Sequence, residues 1–225
     1  MAVTDAAIEK IKGMILSGEL KPGSRLPPEK ELGERLGLSR NSLREAVKAL
    51  EVVRVLDVRR GDGTYVTSLE PDLLLEVMSF VVDLHHDDSV LDLFTVRRLL
   101  EPAAAAMATA RLEAPTLEQL AQMVESVDAE AGLDELVAHD LEFHHRINAA
   151  CGNSYLTSLL DSLSSETLRA RVWRGLTQEN AVARTLAEHR AIVAALADGD
   201  AELVRALAVA HVVGVEQWLR RAAVS

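Results

Sequence analysis

Apolar residues recur at helical spacing in three stretches of the first fifty positions, which predicts three helices. The first covers residues 4–17, the second follows Pro27-Pro28, and the third covers residues 38–50. The recurring apolar positions are Ile8, Ile11, Ile15 and Leu16 in the first helix, Leu32 and Leu36 in the second, and Leu43, Ala46, Val47 and Leu50 in the third. Only two or three residues separate the last two helices, and Gly37 among them suits the C′ position that ends the second helix. Two short helices joined so tightly are typical of a helix-turn-helix.

After Leu50 the apolar period changes from helical to alternating. The alternation predicts two short strands, at residues 55–58 and 64–67, joined by Arg60-Gly-Asp-Gly63. Gly61 and Gly63 suit the positive φ angles of a hairpin turn. A two-stranded hairpin is marginal alone, so we expect it to pack on the helices. Three helices and such a hairpin form a winged helix-turn-helix.

The third helix has a polar face as well as an apolar one. Arg40, Asn41, Arg44 and Lys48 share that face, and Ser39, or Ser42 with Glu45, would cap the helix start. Arginine can bind a guanine edge bidentately, and asparagine an adenine edge. A solvated amphipathic helix is the alternative, and the flanking elements favour DNA recognition.

Beyond residue 69 only helical spacing appears, with breaks at Pro, Gly and Asp positions. Predicted helices cover residues 72–84, 89–110, 116–131, 133–150, 153–173, 179–197 and 200–221. Their short connections predict an all-α antiparallel bundle of six to seven helices. The expected fold class is therefore mainly α, with a DNA-binding domain over residues 1–69 and a helical domain over residues 70–225. Glu70-Pro71 would be the short hinge between them.

The composition is that of a globular protein, with 48% apolar and 26% charged residues. One cysteine, Cys151, excludes an internal disulfide framework and suits a reducing compartment. The first residues lack the layout of a signal peptide, and no apolar run is long enough to span a bilayer. We therefore expect a cytoplasmic protein without a membrane partner.

The net charge of −11 is unevenly distributed. Residues 1–68 hold 12 Lys+Arg and 10 Asp+Glu, a net of +2, whereas the remainder holds 12 Arg and 25 Asp+Glu, a net of −13. Such asymmetry indicates two domains with different partners. Because +2 is modest, DNA affinity has to come from individually placed residues.

Four polar residues fall on the inward faces of three predicted helices. Asp140 and His144 lie one turn apart on one apolar stripe, and His189 and His211 lie on two others at similar height across a helical hairpin. A buried carboxylate needs a partner, and three converging imidazoles are metal-ligand types. For any one of these histidines, a hydrogen-bonded core residue is the alternative. The remaining histidines are expected at the surface: His85, His86, His139 and His145.

Residues 6–67 resemble the DNA-binding domain of GntR-family bacterial transcription regulators. The matching words are Pro22-Gly-Ser-Arg-Leu26, Pro28-Glu-Lys-Glu-Leu32, Leu38-Ser-Arg-Asn-Ser-Leu-Arg-Glu-Ala46 and Arg60-Gly-Asp-Gly-Thr-Tyr-Val66. The DNA contacts that the resemblance implies are Lys30, Ser39, Arg40, Asn41, Ser42, Arg44, Arg60 and Gly61. Two positions depart from the family: Lys30 replaces a frequent arginine, and Arg54 replaces a glycine suited to a left-handed cap.

Residues 72–221 resemble the FCD domain of the FadR-like branch. The signatures are Val96-Arg-Arg-Leu-Leu-Glu-Pro102, Asp140-Leu-Glu-Phe-His144, Glu188-His189 and Ala210-His211. The resemblance implies a divalent metal ion (zinc, nickel or manganese) held by Asp140, His144, His189 and His211, with a small carboxylate effector completing its coordination. It makes Arg97 a candidate partner of that carboxylate, and an ion pair with Glu101 at i+4 is the alternative.

The expected function is that of a ligand-responsive transcription repressor rather than an enzyme. A homodimer would place two recognition helices in successive major grooves of a near-palindromic double-stranded operator. Two alternative functions assign a different role to the helical domain. One is a metal-dependent hydrolase, although no general base is placed by motif near the ligands. The other is a metal-free regulator that binds a larger ligand such as an acyl-CoA.

Overall fold

The computed structural model describes residues 3–71, 73, 89–127, 132–168, 171, 174, 178 and 180–222. The chain divides into two compact units, Met1–Met78 and Ser79–Ser225. Apart from residue 73, the helix predicted over residues 72–84 lies outside the described residues, and so does the His85-His-Asp-Asp88 segment.

Residues 3–66 of the first unit form three helices and a hairpin, in the predicted order. Its elements are α1 (Val3–Leu16), α2 (Glu29–Leu36), α3 (Arg40–Val52), β1 (Leu56–Arg59) and β2 (Gly63–Val66). One core joins them, built from Ala7, Ile11, Met14, Leu20, Leu26, Leu32, Leu43, Ala46, Leu50, Leu56 and Val66. Leu16, one of the apolar residues that predicted α1, lies at the end of this helix and is 77% exposed.

Local capping explains the tight turn between α2 and α3. Gly37 follows α2 with φ 63° and ψ 40°, a left-handed conformation in which glycine carries no Cβ penalty. Ser39 then caps α3, because its Oγ accepts a hydrogen bond from the Ser42 backbone N–H at 3.1 Å.

The hairpin is antiparallel, with Leu56 opposite Val66 and Arg59 opposite Gly63. Leu56 and Val66 are buried against the helices, which supplies the support that an isolated hairpin lacks. Gly63 has a φ of 141°, a conformation that other residues rarely adopt. The winged helix-turn-helix prediction is confirmed.

Helices and their short connections make up the described residues of the second unit. Its helices are α4 (Ser89–Thr109), α5 (Ala114–Glu125), α6 (Leu133–Ala150), α7 (Ser154–Glu166), α8 (Ala181–Ala197) and α9 (Ala201–Ala222). Helix α4 packs along α9 and also touches α6 and α7, while α8 packs on α5 and α9. The predicted fold class is confirmed; α5 and α7 end at Glu125 and Glu166, and the remaining residues of these two predicted helices lie partly outside the described residues.

No helix among the described residues is both long and apolar enough to cross a lipid bilayer.

Candidate metal centre and nucleic-acid interface

The predicted recognition face of the first unit lies on α3. Arg40, Asn41 and Arg44 are exposed there, while Leu43 and Ala46 on the opposite side are fully buried. Burial of the apolar side therefore fixes which side chains point outward. Within the described part of the chain, neither Arg40 nor Arg44 pairs its guanidinium with a carboxylate.

Lys30 and Arg40 line one open groove between α2 and α3, together with Glu29, Gly33, Glu34, Gly37 and Leu38. Lys30 is exposed and has no ion-pair partner among the described residues. Ser39 and Ser42 lie at the N-terminal end of α3, and their hydroxyl oxygens are 2.8 Å apart. Of the predicted contact residues of this helix pair, Lys30 and Arg40 thus share one groove.

The hairpin carries a second basic surface. Arg60 and Gly61 are exposed at its tip. Arg59 is held in place by an ion pair with Asp57 (2.9 Å) and by stacking on the Tyr65 ring, 4.3 Å from its centroid. Arg59 therefore has a defined position, whereas Arg60 has no such ion pair or ring contact among the described residues.

The second unit brings Asp140, His144, His189 and His211 into one buried cluster. Helix α6 provides the first two, α8 provides His189 and α9 provides His211, and one candidate ligand atom from each lies within 4.8 Å of the others. Asp140 Oδ1 is 3.5 Å from His189 Nε2 and 3.7 Å from His144 Nε2. The Nε2 atoms of His144 and His211 are 3.2 Å apart.

Each of the three histidines uses Nε2 toward the cluster and Nδ1 toward another partner. His144 Nδ1 is 2.9 Å from Glu101 Oε1, and His211 Nδ1 is 2.8 Å from Glu188 Oε2. Such outer contacts orient metal-binding imidazoles and select their tautomer. A sequence-based search for ligands does not find these carboxylates, because Glu101 and Glu188 lie on other helices from the rings they orient.

His139 is the third outer partner, and its predicted surface position is wrong. It is 6% exposed, and its Nε2 lies 3.1 Å from His189 Nδ1. Helical spacing put His139 beside the inward stripe of Asp140, but α8 packs closely enough to cover both positions. His145 is exposed as expected and contacts Asp161 at 2.7 Å.

Burial and charge give these groups unusual acidities. Burial lowers the pKa of His189 to about 3, so its ring is neutral at pH 7. Burial alone would raise the pKa of Asp140, but Arg171 and His144 outweigh it and hold that pKa well below its usual range. His144 follows the opposite pattern: burial lowers its pKa, and the stronger influence of Glu101 and Asp140 raises it.

The donor set fits a divalent metal ion. His189 Nε2 is completely buried and has no hydrogen-bond partner among the described residues, although a buried polar nitrogen normally has one. Three imidazole nitrogens and one carboxylate oxygen are ligands that zinc, nickel and manganese accept. The cluster is thus compatible with metal binding.

Arg97 forms the ion pair that was the alternative to effector binding. It is 1% exposed, donates from Nη2 to Glu101 Oε1 (2.9 Å) and from Nη1 to Thr167 Oγ1 (2.8 Å). It does not line either cavity found beside the cluster.

Two arginines that the sequence interpretation missed lie beside the cluster instead. A small cleft beside the cluster is lined by Leu136, Val137, Asp140, Arg171, Arg174, Ala181, Thr185, His211 and Val215. Arg171 donates to Asp140 Oδ2. Arg174 donates from Nε to Gln178 Oε1 (2.7 Å), and its buried Nη2 has no partner among the described residues. No spacing motif marks these positions.

Comparison with known proteins identifies the family. The model for the FCD domain matches residues 92–214, and the model for bacterial regulatory proteins of the gntR family matches residues 3–66. The chain belongs to the gntR family and carries an FCD domain. This membership confirms the resemblance seen in the sequence motifs.

Similar proteins include characterised regulators. The chain is 31% identical over 214 residues to the HTH-type transcriptional regulator LutR of Bacillus subtilis, covering 92% of this chain and 96% of LutR. It is 29% identical to the galactonate operon transcriptional repressor of Escherichia coli, covering 88% of this chain and 89% of the repressor. Among solved structures, Streptococcus agalactiae GntR matches with a TM-score of 0.70 and 26% identity, over 95% of this chain and 99% of that one. These names indicate transcription regulation rather than enzymatic activity.

Proposed function

We propose that this chain is a ligand-responsive transcription repressor whose FCD domain binds a divalent metal ion and a small organic acid. The observation that carries the proposal is the buried Asp140, His144, His189 and His211 cluster in a chain that also contains a winged helix-turn-helix. The names of its relatives, a regulator and an operon repressor, support the same function.

DNA recognition is assigned to α3 and the hairpin. Arg40, Asn41 and Arg44 would read base edges in the major groove, with Ser39 and Ser42 near the phosphates at the helix start. Lys30 would contact the backbone as a point charge, and Arg60 with Gly61 would reach the adjacent groove or phosphates. Exposure of these side chains supports the assignment.

The metal is assigned to Asp140 Oδ1 and the three Nε2 atoms, with zinc, nickel and manganese as candidates. A bound ion would act as a Lewis acid toward a carboxylate oxygen of the effector. Arg171 and Arg174 line the cavity beside two of these ligands, so we assign them, rather than Arg97, to the effector carboxylate.

Regulation requires the effector to bind two forms of the protein with different affinity. A homodimer on a near-palindromic operator would provide those forms, since effector binding in the FCD domains can alter the spacing of two recognition helices. We expect the effector to change operator affinity by about 5–150-fold, the usual range of allosteric coupling.

The test combines metal and DNA measurements on the full chain. Zinc, nickel and manganese are titrated into the wild type and into an Asp140→Ala/His144→Ala variant, with Glu142→Ala/His145→Ala as a control from the exposed side of α6. DNA selection from a random library, followed by titration of the Arg40→Ala/Arg44→Ala variant, tests recognition. Retained metal binding by Asp140→Ala/His144→Ala would refute the metal assignment. Retained sequence-specific DNA binding by Arg40→Ala/Arg44→Ala would refute the assignment of DNA recognition.

A further inference from the structure

The three candidate ligand histidines differ in the partner of their outer nitrogen. His144 and His211 face Glu101 and Glu188, and a carboxylate can only accept a hydrogen bond from Nδ1–H. His189 instead faces the Nε2 of another imidazole, His139, at 3.1 Å. A neutral imidazole is a donor at one nitrogen and an acceptor at the other, so this contact has two possible directions.

Only one direction is compatible with a metal on His189. Its Nε2 must then carry the lone pair, so its ring proton lies on Nδ1 and points at His139 Nε2. His139 must accept there and carry its own proton on Nδ1. Both rings remain neutral in this arrangement, and the pair neither gains nor loses a proton.

The surrounding rings restrain the same geometry. Phe143 stacks on His189 with centroids 3.8 Å apart and planes 12° apart, which fixes the plane of the imidazole. His139 also stacks on Phe143, at 6.2 Å. The contact with His139 then defines which edge of the His189 ring faces the cluster.

We propose that His139 is a positioning residue of the metal centre: its Nε2 accepts the Nδ1–H of His189 and thereby directs the Nε2 lone pair of His189 toward the ion. This role rests on the metal centre proposed above.

A packing role alone does not account for an imidazole at this position. His139 Nδ1 is buried and has no hydrogen-bond partner among the described residues, which costs stability. An apolar side chain of similar size would fill the space beside Phe143 without that cost. The nitrogen that has a partner is the one that faces His189.

Two substitutions separate the acceptor role from packing. His139→Leu removes the acceptor, whereas His139→Gln keeps a carbonyl oxygen near the position of Nε2. His145→Leu, at an exposed position of the same helix, is the control. The zinc dissociation constant is measured by competition with a chromophoric chelator, and the visible absorption spectrum of the cobalt-loaded protein reports the ligand geometry.

We expect His139→Leu to weaken zinc binding by about 10–100-fold, the usual effect of removing an outer partner, and to alter the cobalt spectrum. His139→Gln should restore most of the affinity and the wild-type spectrum, and His145→Leu should leave both unchanged. Wild-type affinity in His139→Leu would overturn the proposal, and so would an equal loss in the Leu and Gln variants. Absence of zinc binding by the wild type would overturn the metal centre itself, which distinguishes the two failures.

Discussion

Glu101 and His144 are in direct contact within the core of the FCD domain, with Oε1 and Nδ1 2.9 Å apart and both side chains buried. The same oxygen of Glu101 accepts a hydrogen bond from Arg97 Nη2 at 2.9 Å. One carboxylate thus compensates a buried guanidinium and orients a candidate metal ligand. It connects the stability of α4 to the geometry of the cluster.

Replacement of Glu101 should therefore be strongly destabilising. Glu101→Ala leaves the buried Arg97 charge without its carboxylate, and we expect a loss of about 3–5 kcal/mol in the free energy of unfolding. The matched control is Glu142→Ala, which breaks an exposed i,i+4 pair with Arg146 and should cost less than about 1 kcal/mol. Urea denaturation measures both, and equal losses would contradict the role given to Glu101.

The metal-free protein should lose stability on acidification because of His189. Its pKa is about 3 when buried but near 6.5 in an unfolded chain, so the unfolded state binds more protons between these values. The free energy of unfolding then falls as the pH decreases from 6.5 toward 3, by up to about 1.4 kcal/mol per pH unit. Below about pH 4 the lowered pKa values of Glu101 and Asp140 add a loss of the same sign.

His144 acts in the opposite direction. Its raised pKa means that the folded state holds the proton longer, so its contribution is present below pH 6.5 and is lost as the pH rises through the folded pKa. Denaturation in the presence of a chelator, at several values between about pH 4.5 and 6.5, covers the range in which His189, together with His139, whose pKa is also lowered by burial, loses stability on acidification. The slope should be shallower in His189→Asn than in His145→Asn, and equal slopes would count against this account.

Arg54 adopts the left-handed conformation that its position requires. Its φ is 59°, and its backbone oxygen accepts a hydrogen bond from Thr67 Oγ1 at 2.7 Å, which ties the turn to the end of β2. A Cβ in this region costs about 1–2 kcal/mol. We expect Arg54→Gly to be more stable than Arg54→Ala by about 1 kcal/mol, since both lack the side chain and only alanine retains the strain. Thermal unfolding of the two variants measures the difference.

Local signals explain why the first unit was predictable. The Ser39 cap, the Gly37 turn and the alternation of the hairpin strands each depend on residues close in sequence. Arg97 and Glu101 are one helical turn apart, so the sequence also indicated their ion pair, as the alternative to effector binding by Arg97.

Contacts between helices were much less predictable. His139 lies beside an inward stripe, and only the packing of α8 decides whether it is exposed or buried. Glu188 orients His211 from a neighbouring helix, and Arg174 enters the cavity from a segment without any motif. Helical periodicity gives the direction of a side chain but not the position of the helix it meets.

Lys30 and Arg44 should differ in how they contribute to DNA binding. Removal of a lysine that contacts phosphate weakens binding to all DNA sequences about equally. It also lowers the slope of log affinity against log salt concentration by about one. Removal of an arginine that binds a base edge reduces the favourable binding free energy by about 1–3 kcal/mol and relaxes specificity at one base position. Salt titrations on the selected operator and on a scrambled duplex should therefore separate Lys30→Ala from Arg44→Ala. Arg35→Ala, which removes an exposed α2 residue paired with Glu19, serves as the control.

Arg174 should determine effector binding. Its Nη2 is buried in the wall of the cavity without a partner among the described residues, close to the candidate ligands Asp140 and His211. A small acid such as acetate, lactate or citrate that binds there, in the presence of zinc, should stabilise the wild type by about 2.7 kcal/mol at a hundredfold excess over its Kd.

Arg174→Leu should abolish this stabilisation and Arg174→Lys should reduce it, because lysine keeps the charge but loses the bidentate fork. Arg190→Leu, at an exposed position paired with Glu125, should respond like the wild type. Because zinc binding is measured on each variant beforehand, an unchanged response in Arg174→Leu would show that the carboxylate binds elsewhere.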